Sequence, residues 1–237
     1  MERTRTHKTT QMRRMSGEVI YAALKEDILT LKLYPGQMIS ENEVAERYHV
    51  SRTPVKSAFI RLENEGFIEV VPQKGTFVTL IDYKHIQNVL YMRYVLEVDM
   101  LKTILRKPCL QEITKKLMTI LKKQEQMIVR GKPNPTSFFE IDSQFHALLF
   151  SHVGREQIWS IIQANHVYYT RFRLLDTHVT ARYDQLYQEH MEILQALCDR
   201  DEARLDKCIY DHLHNLLDHF AKAASGEHRK YLINYES

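Results

Sequence analysis

Residues 40–71 constrain the fold of this chain more than any other stretch, because they encode two short helices, a tight turn and a following strand. Ser40 caps the first helix, and Glu43 three residues later completes a capping box. Ser51 caps the second helix, which runs to Gly66, a residue type that favours the end of a helix. Two helices joined in this way predict a helix-turn-helix, whose second helix lies in the major groove of DNA.

Polar side chains on the second helix suit contact with DNA. Arg52 lies at its N-terminal end, where a guanidinium can bond a guanine edge bidentately. Ser51 and Thr53 offer hydroxyl and backbone N–H groups to phosphates. Lys56 and Arg61 follow further along the helix. On this stretch alone, the solvated face of an ordinary helical hairpin is the alternative.

The next residues predict a β-hairpin, the feature called a wing. A strand over residues 67–71 is followed by a turn at residues 72–75 and by a second strand over residues 76–80. Lys74 and Gly75 lie at the tip, and we assign both to contact with the DNA backbone. The wing favours a DNA-binding domain over the helical hairpin.

The first third of the chain resembles the DNA-binding domain of GntR-type bacterial transcription regulators. The resemblance covers about residues 15–80 and rests on the sequence runs at residues 39–41, 51–56, 61–66 and 74–78. It implies a winged helix-turn-helix domain over residues 15–81. A basic arm, residues 1–14, precedes it, and we expect this arm to be disordered.

Length and composition bound what the remainder can be. The 237 residues allow one large domain or two ordinary ones, and 44% hydrophobic with 27% charged residues is typical of soluble globular proteins. The net charge of +3 is mild, so any charge that binds DNA must be local. The three cysteines lack CxxC spacing and fit a reducing cytosol. Neither a membrane span nor a signal peptide is predicted, so we expect a cytoplasmic protein.

The rest of the chain predicts a mainly α protein in which residues 82–224 form an all-α antiparallel bundle. A polar tail, residues 225–237, follows, and we expect it to be frayed. Apolar periodicity predicts helices over residues 82–106, 110–130, 136–152, 155–177, 180–198 and 201–222.

Polar residues interrupt the apolar stripes of three of these helices. Asp142 and His146 are four residues apart and therefore lie on one helix face. His190 and His212 fall inside the stripes of the last two helices. Burying these groups costs free energy unless each has a partner, and a divalent metal satisfies all of them together. The alternative, which periodicity leaves open, is that each histidine is a hydrogen-bonded core residue.

The helical domain resembles the FCD ligand-binding domain of the FadR-like branch of GntR regulators. The resemblance rests on the motifs at residues 142–146, 190–197 and 201–212. Many members of this branch bind a metal through one aspartate and three histidines. The resemblance therefore implies four metal ligands, namely Asp142, His146, His190 and His212. Zinc is our first choice for the ion, with nickel and manganese as alternatives.

Arg93 and Glu97 lie four residues apart inside the stripe of the first helix of this domain, and the family commonly has Arg and Glu there. An inward arginine beside a metal suits a small carboxylate effector. A buried ion pair that fixes helix register is an equal alternative. Asn165, Tyr169 and Arg173 on the fourth helix are further candidates for contact with the effector.

Together the two resemblances imply a homodimeric transcription regulator, which we expect to be a repressor. It would bind a roughly palindromic double-stranded operator, and a small carboxylate effector would change the spacing of its two winged domains. We assign no catalytic residues. The alternative from another class is a metal-dependent enzyme acting on a small organic acid, with the N-terminal domain as a docking module. A third alternative is a regulator whose helical domain binds its ligand without metal.

Overall fold

The computed structural model describes residues 16–131, 133–165, 167–223 and 226–235. The chain divides after Thr79 into two compact units. The basic arm predicted for residues 1–14 lies outside the described residues.

The first unit is a winged helix-turn-helix. Its elements are α1 (Gly17–Leu29), β1 (Met38–Ile39), α2 (Glu41–Tyr48), α3 (Arg52–Asn64), β2 (Ile68–Val71) and β3 (Gly75–Val78). The Ser40 side chain accepts a hydrogen bond from the Glu43 backbone N–H, as predicted. His49 adopts a left-handed conformation with φ of 52°, which reverses the chain between α2 and α3. Ser51 precedes α3, but its side chain makes no capping hydrogen bond.

The wing is an antiparallel hairpin of β2 and β3. Its register pairs Ile68 with Val78 at one end and Val71 with Gly75 at the other. The turn is tight because Gln73 and Gly75 have φ of 62° and 127°. The prediction did not include β1, which pairs antiparallel with β3 and makes the strand order β1-β3-β2.

The second unit is a helical bundle with a two-stranded parallel β-pair. Its elements are β4 (Ile81–Asp82), α4 (Tyr83–Leu105), α5 (Gln111–Val129), α6 (Pro135–His152), α7 (Glu156–Ala164), α8 (Val167–Thr180), α9 (Tyr183–Cys198), α10 (Glu202–Ala223), α11 (Gly226–Arg229) and β5 (Leu232–Ile233). The mainly helical prediction is therefore confirmed. Within the described residues, no helix combines the length and the apolar character needed to span a bilayer.

The helix predicted over residues 155–177 is instead the two helices α7 and α8. Asn165 ends α7, and its side-chain amide donates to the carbonyl of Ile161, at 2.9 Å. Asparagine side chains that bond nearby backbone groups in this way compete with helix continuation. The apolar stripe runs through the break, so its periodicity did not reveal it.

The tail predicted to be frayed instead returns to the start of the helical unit. Leu232 and Ile233 form β5, which pairs in parallel with Ile81 and Asp82 of β4. The Ile81 N–H donates to the carbonyl of Tyr231, at 2.9 Å. Leu232 is buried and anchors the strand, although the surrounding residues are polar.

Candidate metal centre

Four side chains converge in the interior of the helical unit. Asp142 and His146 come from α6, His190 from α9 and His212 from α10, and all four are buried. Their candidate ligand atoms all lie within 4.8 Å of one another. The Nε2 atoms of His190 and His212 are each 3.3 Å from His146 Nε2. Asp142 Oδ1 lies 3.5 Å from His190 Nε2. The structure thus brings together all four residues that the sequence predicted.

The other ring nitrogen of each histidine has its own partner outside the cluster. His146 Nδ1 lies 2.7 Å from Glu97 Oε2. His190 Nδ1 lies 3.1 Å from Gln124 Oε1, and His212 Nδ1 lies 2.9 Å from Glu189 Oε2. An Nδ1 that donates its proton to such an oxygen leaves Nε2 with a free lone pair. Three lone pairs therefore point into one small space, where a cation is the species that stabilises them.

The two carboxylate partners are ionised, which fixes the tautomers of His146 and His212. Burial by itself would raise the pKa of Glu97, but Arg93 and His146 lower it to about 2. The pKa of Glu189 is also lowered against the effect of burial, by its contacts with His212, Asn215 and Arg182. A carboxylate can only accept a hydrogen bond, so the Nδ1 facing it must carry the proton.

The charge states inside the cluster are those that bind a metal. Burial lowers the pKa of His146 and lowers that of His190 further, so both imidazoles are neutral at pH 7. Burial opposes ionisation of Asp142, yet Arg173 and the three histidines hold its pKa below the usual value. Neither oxygen of this buried carboxylate has a hydrogen-bond partner. One carboxylate and three imidazoles form a donor set that suits a divalent transition metal.

A second polar layer lies beside the cluster, on α4 and α8. The buried Arg93 donates from Nε to Glu97 Oε1, at 2.8 Å, and from Nη1 to the Tyr169 hydroxyl, at 2.7 Å. Its Nη2 is buried and has no hydrogen-bond partner. Trp159 on α7 stacks on His146, with 6.1 Å between the ring centroids, and the Arg93 guanidinium lies 5.6 Å from the Trp159 ring.

Two of the residues predicted to contact the effector have other roles. Both oxygens of Glu97 are engaged, one by Arg93 and one by His146, so Glu97 orients the His146 ring. Asn165 is exposed at the end of α7, where its backbone carbonyl bonds His85 Nε2, at 2.8 Å. Tyr169 and Arg173 do lie beside the cluster, and Arg173 Nη2 is 2.6 Å from Asp142 Oδ2.

Sequence reasoning missed Gln124, Glu189 and Trp159. Gln124 continues the buried stripe of α5 that includes Leu117 and Leu121, so it is an inward polar residue of the same kind as His190. That signal was available in the sequence. Glu189 directly precedes His190, and nothing in the helical periodicity marked it.

The predicted DNA contacts lie in the winged unit and are exposed to solvent. Arg52 is the first residue of α3, Lys74 lies in the turn of the wing, and Gly75 begins β3 directly after it. The other exposed candidates on or next to α3 are Ser51, Thr53, Lys56 and Arg61.

Arg61 differs from the other members of this set because it has partners within the winged unit. Its guanidinium contacts Glu18 through Nη1 and Glu65 through Nε, the latter at 3.1 Å. The same group lies 3.7 Å from the centroid of the Tyr21 ring. These partners tie Arg61 to α1 and α3, so it contributes to the packing of the two helices, and its contact with DNA stays a prediction.

Comparison with known proteins identifies both units. Residues 17–78 match the family of bacterial regulatory proteins called gntR, and residues 88–215 match the FCD domain. The HTH-type transcriptional repressor RspR of Escherichia coli K12 is 29% identical over 204 residues, which cover 84% of this chain and 86% of RspR. An HTH-type transcriptional regulator from an unstable DNA locus of Streptomyces ambofaciens is 29% identical over 201 residues, which cover 84% of this chain and 82% of that protein.

The fold is also shared with solved structures. The crystal structure of a putative GntR transcriptional regulator from Rhodococcus sp. RHA1 aligns with a TM-score of 0.65 at 17% identity, over 88% of this chain and 99% of that one. The matching families and relatives are transcription regulators, so the metal-dependent enzyme is not the function of this protein. The chain belongs to the GntR family of transcription regulators and carries an FCD domain as its ligand-binding unit.

Proposed function

We propose that this regulator is a repressor controlled by a small carboxylate effector that binds beside a divalent metal. The observation that carries the proposal is the convergence of three histidine Nε2 atoms on the buried Asp142 carboxylate, whose oxygens lack aligned hydrogen bonds. Its similarity to the repressor RspR supports repression as the direction of control.

The metal would be held by the ligand set Asp142, His146, His190 and His212. Zinc remains our first choice, because imidazole nitrogen suits it, and nickel and manganese remain alternatives. When bound, the ion supplies a positive charge that attracts a carboxylate. Glu97, Gln124 and Glu189 would hold the three imidazoles in the orientation that this coordination needs.

The effector would meet the protein through Arg93, Tyr169 and Arg173. Arg93 is fixed by Glu97 and Tyr169, so the N–H groups on its free Nη2 are already oriented. A buried donor without a partner costs about 1–3 kcal/mol or more, and a carboxylate oxygen would recover that cost through a charge-assisted hydrogen bond. This argument supports an anionic ligand over a neutral one.

Operator binding would use the exposed face of the winged unit. We assign base contact to Arg52 and backbone contact to Ser51, Thr53, Lys56 and the wing residues at its tip. The protein would act as a homodimer on a roughly palindromic operator, because two-fold symmetry of the protein is mirrored in the DNA site.

Metal analysis of single-residue variants tests the site. His190→Ala and His212→Ala should each lose stoichiometric zinc and the effector response, yet keep operator binding, because the winged unit has its own core. His214→Ala is the matched control, since His214 lies outside the cluster and stacks on Tyr210. Elemental analysis and operator titration give the two readouts. Zinc retained by both cluster variants but lost from the control would show that the ligands are misassigned.

A further inference from the structure

Arg173 is paired with one of the proposed metal ligands. Its Nη2 lies 2.6 Å from Asp142 Oδ2, and both side chains are buried. The contact is an ion pair without an aligned hydrogen bond, because both Asp142 oxygens lack a hydrogen-bond partner. The guanidinium rests on the Phe139 ring, 3.9 Å from its centroid. Arg173 is thus held beside Asp142 mainly by charge and by stacking.

A divalent cation and the Arg173 guanidinium compete for the same carboxylate. Asp142 Oδ2 is 3.8 Å from His146 Nε2 and 2.6 Å from Arg173, so it faces both the imidazole cluster and the guanidinium. A cation held by the cluster would take over the neutralisation of Asp142. It would also repel the guanidinium, because like charges a few ångströms apart in a protein interior interact strongly.

The helix that carries Arg173 offers it one other buried acid, Asp176, which is shared with a second arginine. Asp176, three residues further along α8, already has Arg182 beside it, with 3.8 Å between Arg182 Nη1 and Asp176 Oδ2. Among the described residues, Asp142 is the acid within ion-pair distance of Arg173. Because Asp176 already lies beside Arg182, a guanidinium released from Asp142 would be neutralised most completely by an anion from outside.

We propose that Arg173 is an exchangeable counterion, which neutralises Asp142 in the metal-free protein and turns to the effector carboxylate when the metal is bound. The inference rests on the proposed function, since it requires a metal at this cluster. Metal and acid would then bind with positive coupling, because the metal frees the guanidinium that the acid uses, and the coupling is reciprocal. Arg93 cannot make this exchange, because Glu97 and Tyr169 hold it in place.

Zinc titration of the metal-free, full-length protein without any organic acid tests the exchange. Arg173→Gln removes the competing charge while keeping a planar group that can stack on Phe139. We expect it to bind zinc about tenfold or more tightly than the wild type, within the range of about 5–150-fold that is common for coupled sites. Arg173→Lys keeps the charge, so its zinc affinity should stay close to that of the wild type.

A role for Arg173 in positioning Asp142 predicts weaker zinc binding when Arg173 is replaced. If Arg173 only positions Asp142 for the metal, Arg173→Gln will bind zinc more weakly than the wild type, and equal or weaker binding overturns the exchange. Arg173→Met also removes the charge and must show the same gain, so that a folding defect in one variant does not decide the outcome. A wild type that binds none of zinc, nickel and manganese rejects the metal site itself, whereas zinc binding without a gain in either variant rejects only the exchange.

Discussion

Gln124 is the residue that sets the orientation of His190. Its Oε1 lies 3.1 Å from His190 Nδ1, while its own Nε2 is buried without a partner. Gln124→Leu should lower zinc affinity about 10–100-fold, because the imidazole loses the group that fixes its tautomer. The same change should alter the stability of the metal-free protein little, because removing the unpartnered Gln124 Nε2 offsets the cost of leaving His190 Nδ1 without its partner. Zinc titration and thermal unfolding measure the two effects. A loss of stability with unchanged zinc affinity would mean that Gln124 serves only packing.

Alanine substitutions of Arg52 and Lys74 should weaken DNA binding in different ways. Arg52→Ala should weaken binding to the operator far more than binding to random DNA, because a base contact carries sequence information and is worth about 1–3 kcal/mol. Lys74→Ala should weaken both more evenly and reduce the salt dependence, because a wing lysine meets phosphate. Fluorescence anisotropy on both DNAs at several salt concentrations separates them. Equal losses on the two DNAs for Arg52→Ala would rule out base reading.

Asp176 is a buried acid that should make the helical unit less stable as the pH rises. Burial raises its pKa to about 6 from an ordinary value of 3.8, although Arg182 opposes the shift, and its Oδ1 has no hydrogen-bond partner. Because the folded-state pKa is the higher one, its stabilising contribution is complete below about pH 4 and is lost as the pH rises through about 6. Asp176→Asn should therefore gain about 2–3 kcal/mol at pH 8 relative to the wild type, at about 1.4 kcal/mol per pKa unit.

Urea unfolding at pH 5 and pH 8, followed by tryptophan fluorescence, measures this difference. Trp159 is the single tryptophan of the chain and lies in α7, so its signal reports on the helical unit. A variant that is less stable than the wild type at pH 8 would show that the charge on Asp176 stabilises the fold.

For some single residues the sequence alone predicted the position, whereas for others only the three-dimensional contacts show what the residue does. His146, His190 and His212 interrupt apolar stripes, and a buried imidazole has few uses, so their convergence was predictable. Arg61 looks like any other exposed cation on α3, and only the three-dimensional contact with Tyr21 on α1 reveals its packing role.

At the scale of elements, periodicity predicted the helices well and their interruptions poorly. The bundle helices start and end within a few residues of their predicted bounds, because apolar spacing persists along each one. The break between α7 and α8 depends on one side-chain hydrogen bond of Asn165, and β5 depends on a partner strand about 150 residues away in the sequence. The first cause is a single side chain and the second is a distant strand, and neither one changes the local apolar spacing.

The C-terminal strand should contribute measurably to stability. The Tyr235 ring packs edge-on against Tyr83, with 4.7 Å between centroids, and Asn234 bonds the Asp82 carboxylate that caps α4. Tyr235→Ala should lower the free energy of unfolding of the helical unit by about 1–2 kcal/mol, through loss of the aromatic pair and its buried area.

Ile233→Ala is the matched control for Tyr235→Ala, because Ile233 lies in β5, two residues before Tyr235, and is 41% exposed. It should change the free energy of unfolding by less than about 0.5 kcal/mol, as is usual for surface positions. Similar small effects for both variants would mean that β5 is held by its backbone pairing alone.

At the scale of the whole molecule, the order of the two units already indicated a DNA-binding domain followed by a sensor. Both were predictable because each carries consecutive motifs whose chemistry is local, the capped helix pair in one and the Asp-x-x-x-His pair in the other. No single motif determines the oligomeric state, so the oligomeric state must be tested on the full-length protein.

The full-length protein should bind its operator as a homodimer with two half-sites on one face of the DNA. One recognition helix, α3, offers few base contacts, so high specificity requires two copies that dock together about one helical turn apart. Inserting about five base pairs between the half-sites should abolish tight binding by turning one half-site to the opposite face. Inserting about ten base pairs restores the face but doubles the separation, so binding should recover only in part. Light scattering at micromolar concentration, combined with anisotropy on these operators, makes the test. A monomer that binds an isolated half-site as tightly as the full operator would contradict it.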